Sequence, residues 1–154
     1  MLLGFHEHAI ALMKYGMEGA PNWRMQQWAG LTVTALAFPE LTGSEAFLQH
    51  ALKGIQEEID TEVYVDGVET EQTSGYDAMS ANNFYQVLVT ISQAGHQIPT
   101  AYSKAVENMF TYLAFSIDQS GYLPRNGDAD FQQPWLSSNY KEIRRYDERR
   151  AYRE

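Results

Sequence analysis

The sequence predicts an all-α fold built from antiparallel helical hairpins. Five segments carry apolar residues at helical spacing. Proline and glycine punctuate the chain between those segments. The β signal is confined to Glu62-Val63-Tyr64-Val65, which reads as a short strand or a loop edge.

Each helix follows from its own stripe. In the first, Leu2, Phe5, Ala9, Leu12 and Met13 share a face. The second starts at Pro21-Asn22, carries Trp28, Leu31, Ala35 and Leu36, and runs to about Phe38, where Pro39 helps stop it. The third begins at Ser44 and aligns Phe47, Ala51, Ile55 and Ile59 four residues apart. The fourth starts near Tyr76, carries Phe84, Val87, Leu88 and Ile91, and ends at Gly95. The fifth starts near Pro99-Thr100 and has the clearest stripe, from Tyr102 through Val106, Met109, Phe110 and Leu113 to Ile117. A sixth helix is expected over Tyr140–Glu154, almost wholly polar and so solvated or short of a packing partner. The whole of residues 1–154 reads as one domain, with no linker or repeat.

Composition narrows the partners. At 154 residues and 44% hydrophobic, the chain can build a real core. Net charge is −9, yet six of the eleven basic residues fall within 141–154. The acidic remainder excludes a nucleic-acid binder, which needs a basic face. It also weighs against a polyanionic ligand wherever local positive groups are lacking. The absence of cysteine removes thiol and disulfide chemistry. No segment reaches the ~18 apolar residues of a membrane span. The amino terminus lacks a signal peptide's basic region and cleavage site, and it reads as a helix already under way. The chain therefore reads as a piece of a longer one. Aromatics reach 13%, and such rings serve either as core or as sugar platforms.

Link lengths locate the candidate site. The links near 39–43 and 95–98 are short, whereas those near 61–75 and 119–137 are long. Antiparallel hairpins put alternate links on opposite rims, so both long loops share the rim where the second and fourth helices begin. Long loops on a rigid scaffold are where function concentrates. Asn22, Tyr76 and the loop Gly121–Phe131 should meet there.

The chemistry-bearing residues each allow two readings. Asp66-Gly67 and Ser74-Gly75 read as tight turns, which places Tyr76 at a helix start. The positive end of the helix dipole favours an anion there, and a Tyr so placed can move a proton. Its structural alternative is a buried ring with its hydroxyl on backbone. Asn22 is either a helix N-cap or an amide donor to an anionic group. Arg24 pairs with a substrate anion or with a nearby Glu. Asp128 and Asp130 suit a metal or ordinary turns, and two acids two apart favour turns. With Glu69 and Glu71 they also raise a glycosidase, in which paired carboxylates act as acid and base. His6 and His8 point to different sides of a helix, His50 sits in the third helix outside its main stripe, and His96 lies at a helix end on the opposite rim, so none is expected to be catalytic. No phosphate loop or nucleophile elbow is present, and we expect neither cofactor nor metal.

Three segments then resemble a known family. "DGVETEQTSGYDAMSANNFYQVL" is similar to the "DG…EQSPGYH" signature of the heparinase II/III-like polysaccharide lyases. "GYLPRNGDAD" resembles that family's "G-x-x-P-x-x-GD" loop, and "PNWRMQQWAGLTVTALAFPE" its Asn-bearing inner helix. The segments occur in the family's order. The resemblance implies part of an incomplete (α/α) toroid, followed by β-sandwich domains outside this chain. It implies cleavage of uronic-acid polysaccharide by β-elimination, in a periplasmic or secreted parent protein. Asn22 would neutralise the uronate carboxylate and Tyr76 would act as general base, general acid or both. Arg24, Trp23, Glu71, Gln72 and Arg125 would bind substrate. The chain departs from the pattern at Trp23, Thr73-Ser74 and Asp77, where relatives carry His, Ser-Pro and His. It also lacks the later His that relatives use, so this region alone is expected to be inactive.

Two alternatives remain open at this stage: a non-catalytic helical scaffold or glycan-binding fragment, and a toroid glycosidase. The uncovered apolar faces of a partial toroid imply self-association.

Overall fold

The structure, a computed structural model, describes residues 2–15, 19–119 and 121–129. Five helices follow in order: α1 (Leu2–Tyr15), α2 (Pro21–Ala37), α3 (Ser44–Glu62), α4 (Ser74–Gln93) and α5 (Thr100–Ser116). Among the described residues there is no strand, only one antiparallel bridge between Val63 and Glu69. The all-α expectation holds. The expected sixth helix and Asp130 lie outside the described residues.

α2 is the central element and packs against α1, α3 and α4, while α4 pairs with α5. Its stripe Met25, Trp28, Leu31 and Ala35 is buried against Phe47, Ala51 and Ile55 of α3. Burying side chains of this size stabilises by roughly 1.5–3 kcal/mol each before entropy is counted. Gly54 sets the α2–α3 distance, because a Cβ there would lie 2.2 Å from the Trp28 ring. Ser44 Oγ donates to Ala35 O at 2.7 Å and ties the start of α3 to the end of α2. On α4, Phe84 and Val87 are buried with Tyr102, Val106 and Met109 of α5. Tyr102 places its ring edge-on to Phe84 and donates its hydroxyl to Phe84 O at 2.6 Å.

The start of α2 at Pro21 is the expected one, since Pro21 takes the first helical position and has no N–H to satisfy. The N-cap of α2 is Ala20, so Asn22 is not a cap. Three boundaries differ from expectation, each for a local reason. α4 begins at Ser74, since Thr73 caps it by accepting the Tyr76 N–H at 3.3 Å. Ser74-Gly75 is thus the first turn of a helix and not a separate turn. At the far end α4 stops at Gln93; Gly95 turns left-handed while the His96 and Gly95 amides return to Ile91 O and Ser92 O. That is a Schellman end, which extends the stop by the residues read as helix. Glu62 closes α3 instead of opening a strand.

Candidate functional site

The long link 63–73 is built outward from the end of α3. Tyr64 N–H donates to Val68 O at 2.8 Å and Gly67 N–H to Tyr64 O at 2.9 Å, closing the expected Asp-Gly turn. Asn108 Nδ2 donates to Val65 O and pins this tip to α5. The chain then returns through Glu69, Glu71 and Gln72 to the Thr73 cap. Gln72 has φ of +53°, the left-handed region that non-glycine residues occupy at some cost.

The second loop, 121–129, lies across the start of α4. Asn126 makes the junction with both halves of its amide. Its Oδ1 accepts the Ser74 N–H at 3.2 Å and its Nδ2 donates to Gln72 O at 2.6 Å. Ser74 Oγ donates to Pro124 O at 2.5 Å. Gly127 fits because a Cβ there would lie 2.8 Å from the Thr73 methyl. The anchor is Asn126, and Asp128 is exposed.

The two helix starts meet through Glu71. The Glu71 carboxyl lies beside the Asn22 backbone N–H, which favours its charge. Burial holds that carboxyl above its ordinary range; the Asn22 amide and Arg24 pull it down, while the charges of Glu62 and Asp128 push it up. One turn deeper, Gln26 Nε2 donates to Met79 Sδ at 3.3 Å. α2 and α4 therefore enter the stack in the same direction, and their first turns face one rim.

The site residues expected from sequence occupy different environments. Tyr76 is part-exposed in the first turn of α4. Asn22 is only 3% exposed, and its Oδ1 is buried without a hydrogen-bond partner among the described residues. Its place inside the first turn of α2 buries an amide that sequence reasoning put at the rim. Trp23 is 63% exposed, and Gln72 and Arg125 are exposed too. Arg24 is committed to the protein: Nε reaches both Glu58 oxygens at 3.1 Å, one terminal nitrogen reaches Glu62 at 2.8 Å, and the other Gly19 O at 2.9 Å.

Sequence reasoning missed a buried acidic pair beneath Tyr76. Glu69 and Asp77 are each 1% exposed. The Glu69 N–H donates to Asp77 Oδ1 at 2.7 Å, and Ser80 Oγ donates to Glu69 Oε1 at 3.3 Å. Burial, then the charges of Glu71, Asp77 and Glu62, push Glu69 up to about 8, with Ser80 offsetting a little. Burial pushes Asp77 up to about 6; the Glu69 N–H opposes this, and the charges of Asp66 and Glu71 add to it. Glu69 therefore keeps its proton at neutral pH. It is sealed from solvent, which places one of the four acids considered for glycosidase chemistry out of contact with a sugar. Among the described residues no group of three His, Asp or Glu is placed to hold a metal, and no helix is long and apolar enough to cross a membrane.

Comparison with known proteins agrees with this architecture. No curated protein sequence matches the chain significantly. Two solved structures are similar: a heparinase III gene product, at TM-score 0.79, and the same product with methylated lysines, at 0.78. Each is 21% identical in sequence, and each match covers 95% of this chain and 23% of the other. The chain thus spans about a quarter of the length of those proteins, and the likeness is one of fold: a sector of helical hairpins. The family Heparinase II/III N-terminus matches residues 1–152, nearly the whole sequence, and the chain belongs to that family.

Proposed function

We propose that this chain is the helical region of a polysaccharide lyase that cleaves uronic-acid-containing polysaccharide by β-elimination. The observation that carries this reading is Tyr76, part-exposed in the first turn of α4 on a rim closed by loop 121–129. Family membership supplies the polysaccharide-lyase context.

The chemistry sets the requirements. A C5 proton beside a carboxylate is weakly acidic, so the carboxylate must be neutralised while an enolate-like transition state forms. The Tyr76 phenol exchanges the proton as general base or acid. The Asn22 amide neutralises the carboxylate; its unpartnered Oδ1 leaves that oxygen untethered, and opening of the first turn of α2 would present its Nδ2. Trp23, Gln72 and Arg125 contact the sugar chain, while Arg24 and Glu71 hold the start of α2 in position. In this reading the parent protein adds a β-sandwich and a His to complete the site, and works in the periplasm or outside the cell. The low exposure of Asn22 favours a second reading, a glycan-binding scaffold without turnover.

The test is the ultraviolet absorbance of the unsaturated uronate product, with full-length protein and a panel of uronate polymers. The lyase reading expects a rise that Tyr76→Phe lowers about a hundredfold or more, in the range of a lost general acid–base group. A rise unaffected by Tyr76→Phe would sink the assignment of Tyr76. Binding without any rise selects the scaffold.

A further inference from the structure

The first turn of α4 is held from outside its own helix. A helix start leaves its first N–H groups without intrahelical partners. In α4 the Tyr76 N–H donates to the Thr73 hydroxyl at 3.3 Å, and the Ser74 N–H donates to Asn126 Oδ1 at 3.2 Å. The first of these caps is local. The second comes from 52 positions along the chain. Asn126 thus does at a distance what an N-cap residue ordinarily does from the adjoining position.

The other half of the same amide acts on the residue before Thr73. Gln72 sits at φ +53°, and Asn126 Nδ2 donates to its carbonyl at 2.6 Å. Backbone in that region persists only where its surroundings impose it. One planar amide therefore fixes both sides of Thr73, whose hydroxyl caps the Tyr76 N–H. The neighbouring contacts leave little play. A Cβ on Gly127 would lie 2.8 Å from the Thr73 methyl, and Ser74 Oγ donates to Pro124 O at 2.5 Å. The core residues Ala81, Phe84 and Val87 lie beyond this turn, so the clamp serves the start of the helix and not its packing. What the turn carries is Tyr76. Helical side chains lean toward the N-terminal end, so this ring is carried back over the clamped turn. Its hydroxyl is at the far end of a stiff side chain, and a small tilt of the turn becomes a larger displacement there. Misplacing a reacting group by about 1 Å costs on the order of a hundredfold in rate.

We infer that Asn126 is a positioning residue for Tyr76: from loop 121–129 it sets the first turn of α4 and so the place of the phenol. It touches neither substrate nor the transferred proton. The inference rests on the lyase reading for the task of the phenol, and on the two amide bonds for the fixing of the turn.

Two measurements on full-length protein test it. Backbone hydrogen exchange is followed over residues 73–78, and the ultraviolet rise is followed with heparan sulfate and with alginate. Asn126→Ala removes both bonds. It should speed exchange over 73–78 by about tenfold or more and leave α5 unchanged. It should lower kcat by about tenfold or more, with KM within about threefold. Asn126→Asp keeps an acceptor for the Ser74 N–H and loses the donor to Gln72 O, so its kcat should fall between Asn126→Ala and wild type. That variant carries the same comparison where Asn126→Ala does not fold. Tyr102→Phe loses a buried bond to Phe84 O and destabilises α4 and α5 away from the rim; its kcat should stay within about twofold. The double variant Tyr76→Phe, Asn126→Ala should be within about twofold of Tyr76→Phe alone, since a residue that acts through the phenol has nothing left to place.

Losses that add in the double variant would overturn the inference. So would a fall in kcat that Tyr102→Phe reproduces, or exchange over 73–78 that Asn126→Ala leaves unchanged. The two readings fail separately. A rise that depends on Tyr76 but not on Asn126 leaves the lyase and removes the positioning role. If wild type gives no rise with either polymer, the lyase reading falls for both and exchange alone decides. Faster exchange then keeps Asn126 as the residue that fixes Tyr76, and unchanged exchange removes it.

Discussion

Two sets of carboxylates lie beneath the same rim, and they are neutralised by different means. On the α2–α3 side, Glu58 is 5% exposed and shares Arg24 with Glu62. Burial still raises the Glu58 carboxyl, and the Arg24 bond offsets part of that rise. On the α4 side, the charges acting on Glu69 come from Glu71, Asp77 and Glu62, all negative. That side is neutralised by a proton. A guanidinium stays charged over the accessible pH range and holds its partners wherever they are ionised, whereas a proton holds only below the group's pKa. The ion pair on the α2–α3 side therefore loosens only in acid, and the α4 side in alkali.

Removing the cation should give the largest effect. Arg24→Met strands Glu58 and leaves the Gly19 carbonyl without its donor. Breaking a pair of this kind costs about 3 kcal/mol, less whatever solvent screening returns at the part-exposed guanidinium. Urea denaturation at neutral pH reads it. A loss under ~1 kcal/mol would mean that Arg24 is not what secures the α2–α3 side.

Removing the titrating proton should give an intermediate effect with a distinct signature. Glu69 binds its proton more tightly folded, at about 8 against the ordinary 4.5. Its contribution is complete below about pH 4.5 and is lost as pH rises through about 8. Asp77, raised to about 6, adds the same sign at lower pH. The wild type should lose on the order of 2 kcal/mol between about pH 5 and pH 9, after allowance for screening. Glu69→Gln should flatten that slope, and Arg24→Met should not. A slope unchanged in Glu69→Gln would place the titration elsewhere.

The smallest effect is expected at Ser80. Its 3.3 Å bond to Glu69 favours the ionised form, so Ser80→Ala should cost under about 1 kcal/mol. The midpoint of the alkaline loss should move upward. A downward movement would show that Ser80 favours the protonated carboxyl.

The sequence made the helices legible because apolar periodicity is local. The stripes on α2, α3 and α5 place Leu31, Ile55 and Met109 where the structure buries them. The start of α4 was misread because Thr73-Ser74-Gly75 carries turn residues that also serve as a cap and first turn. Rim convergence was legible from link lengths alone. Asn22 was placed on the right rim but at the wrong depth, because Ala20 is the cap and Asn22 lies inside the first turn, facing inward. The acidic pair was not legible. Burial of Glu69 and Asp77 depends on how the returning link folds under α4, and no short-range pattern encodes that. Asn126 could have been suspected only as a turn residue, since its partners lie more than fifty positions away.

That separation has a kinetic meaning. Asn126 and Gln72 are 54 positions apart. Closing a flexible loop of that length costs about 3.5 kcal/mol by the logarithmic rule, more than two ordinary hydrogen bonds return. The bonds can form only after α4 and α5 have packed and brought the ends together. The junction beside Tyr76 is thus assembled after the hairpin beneath it.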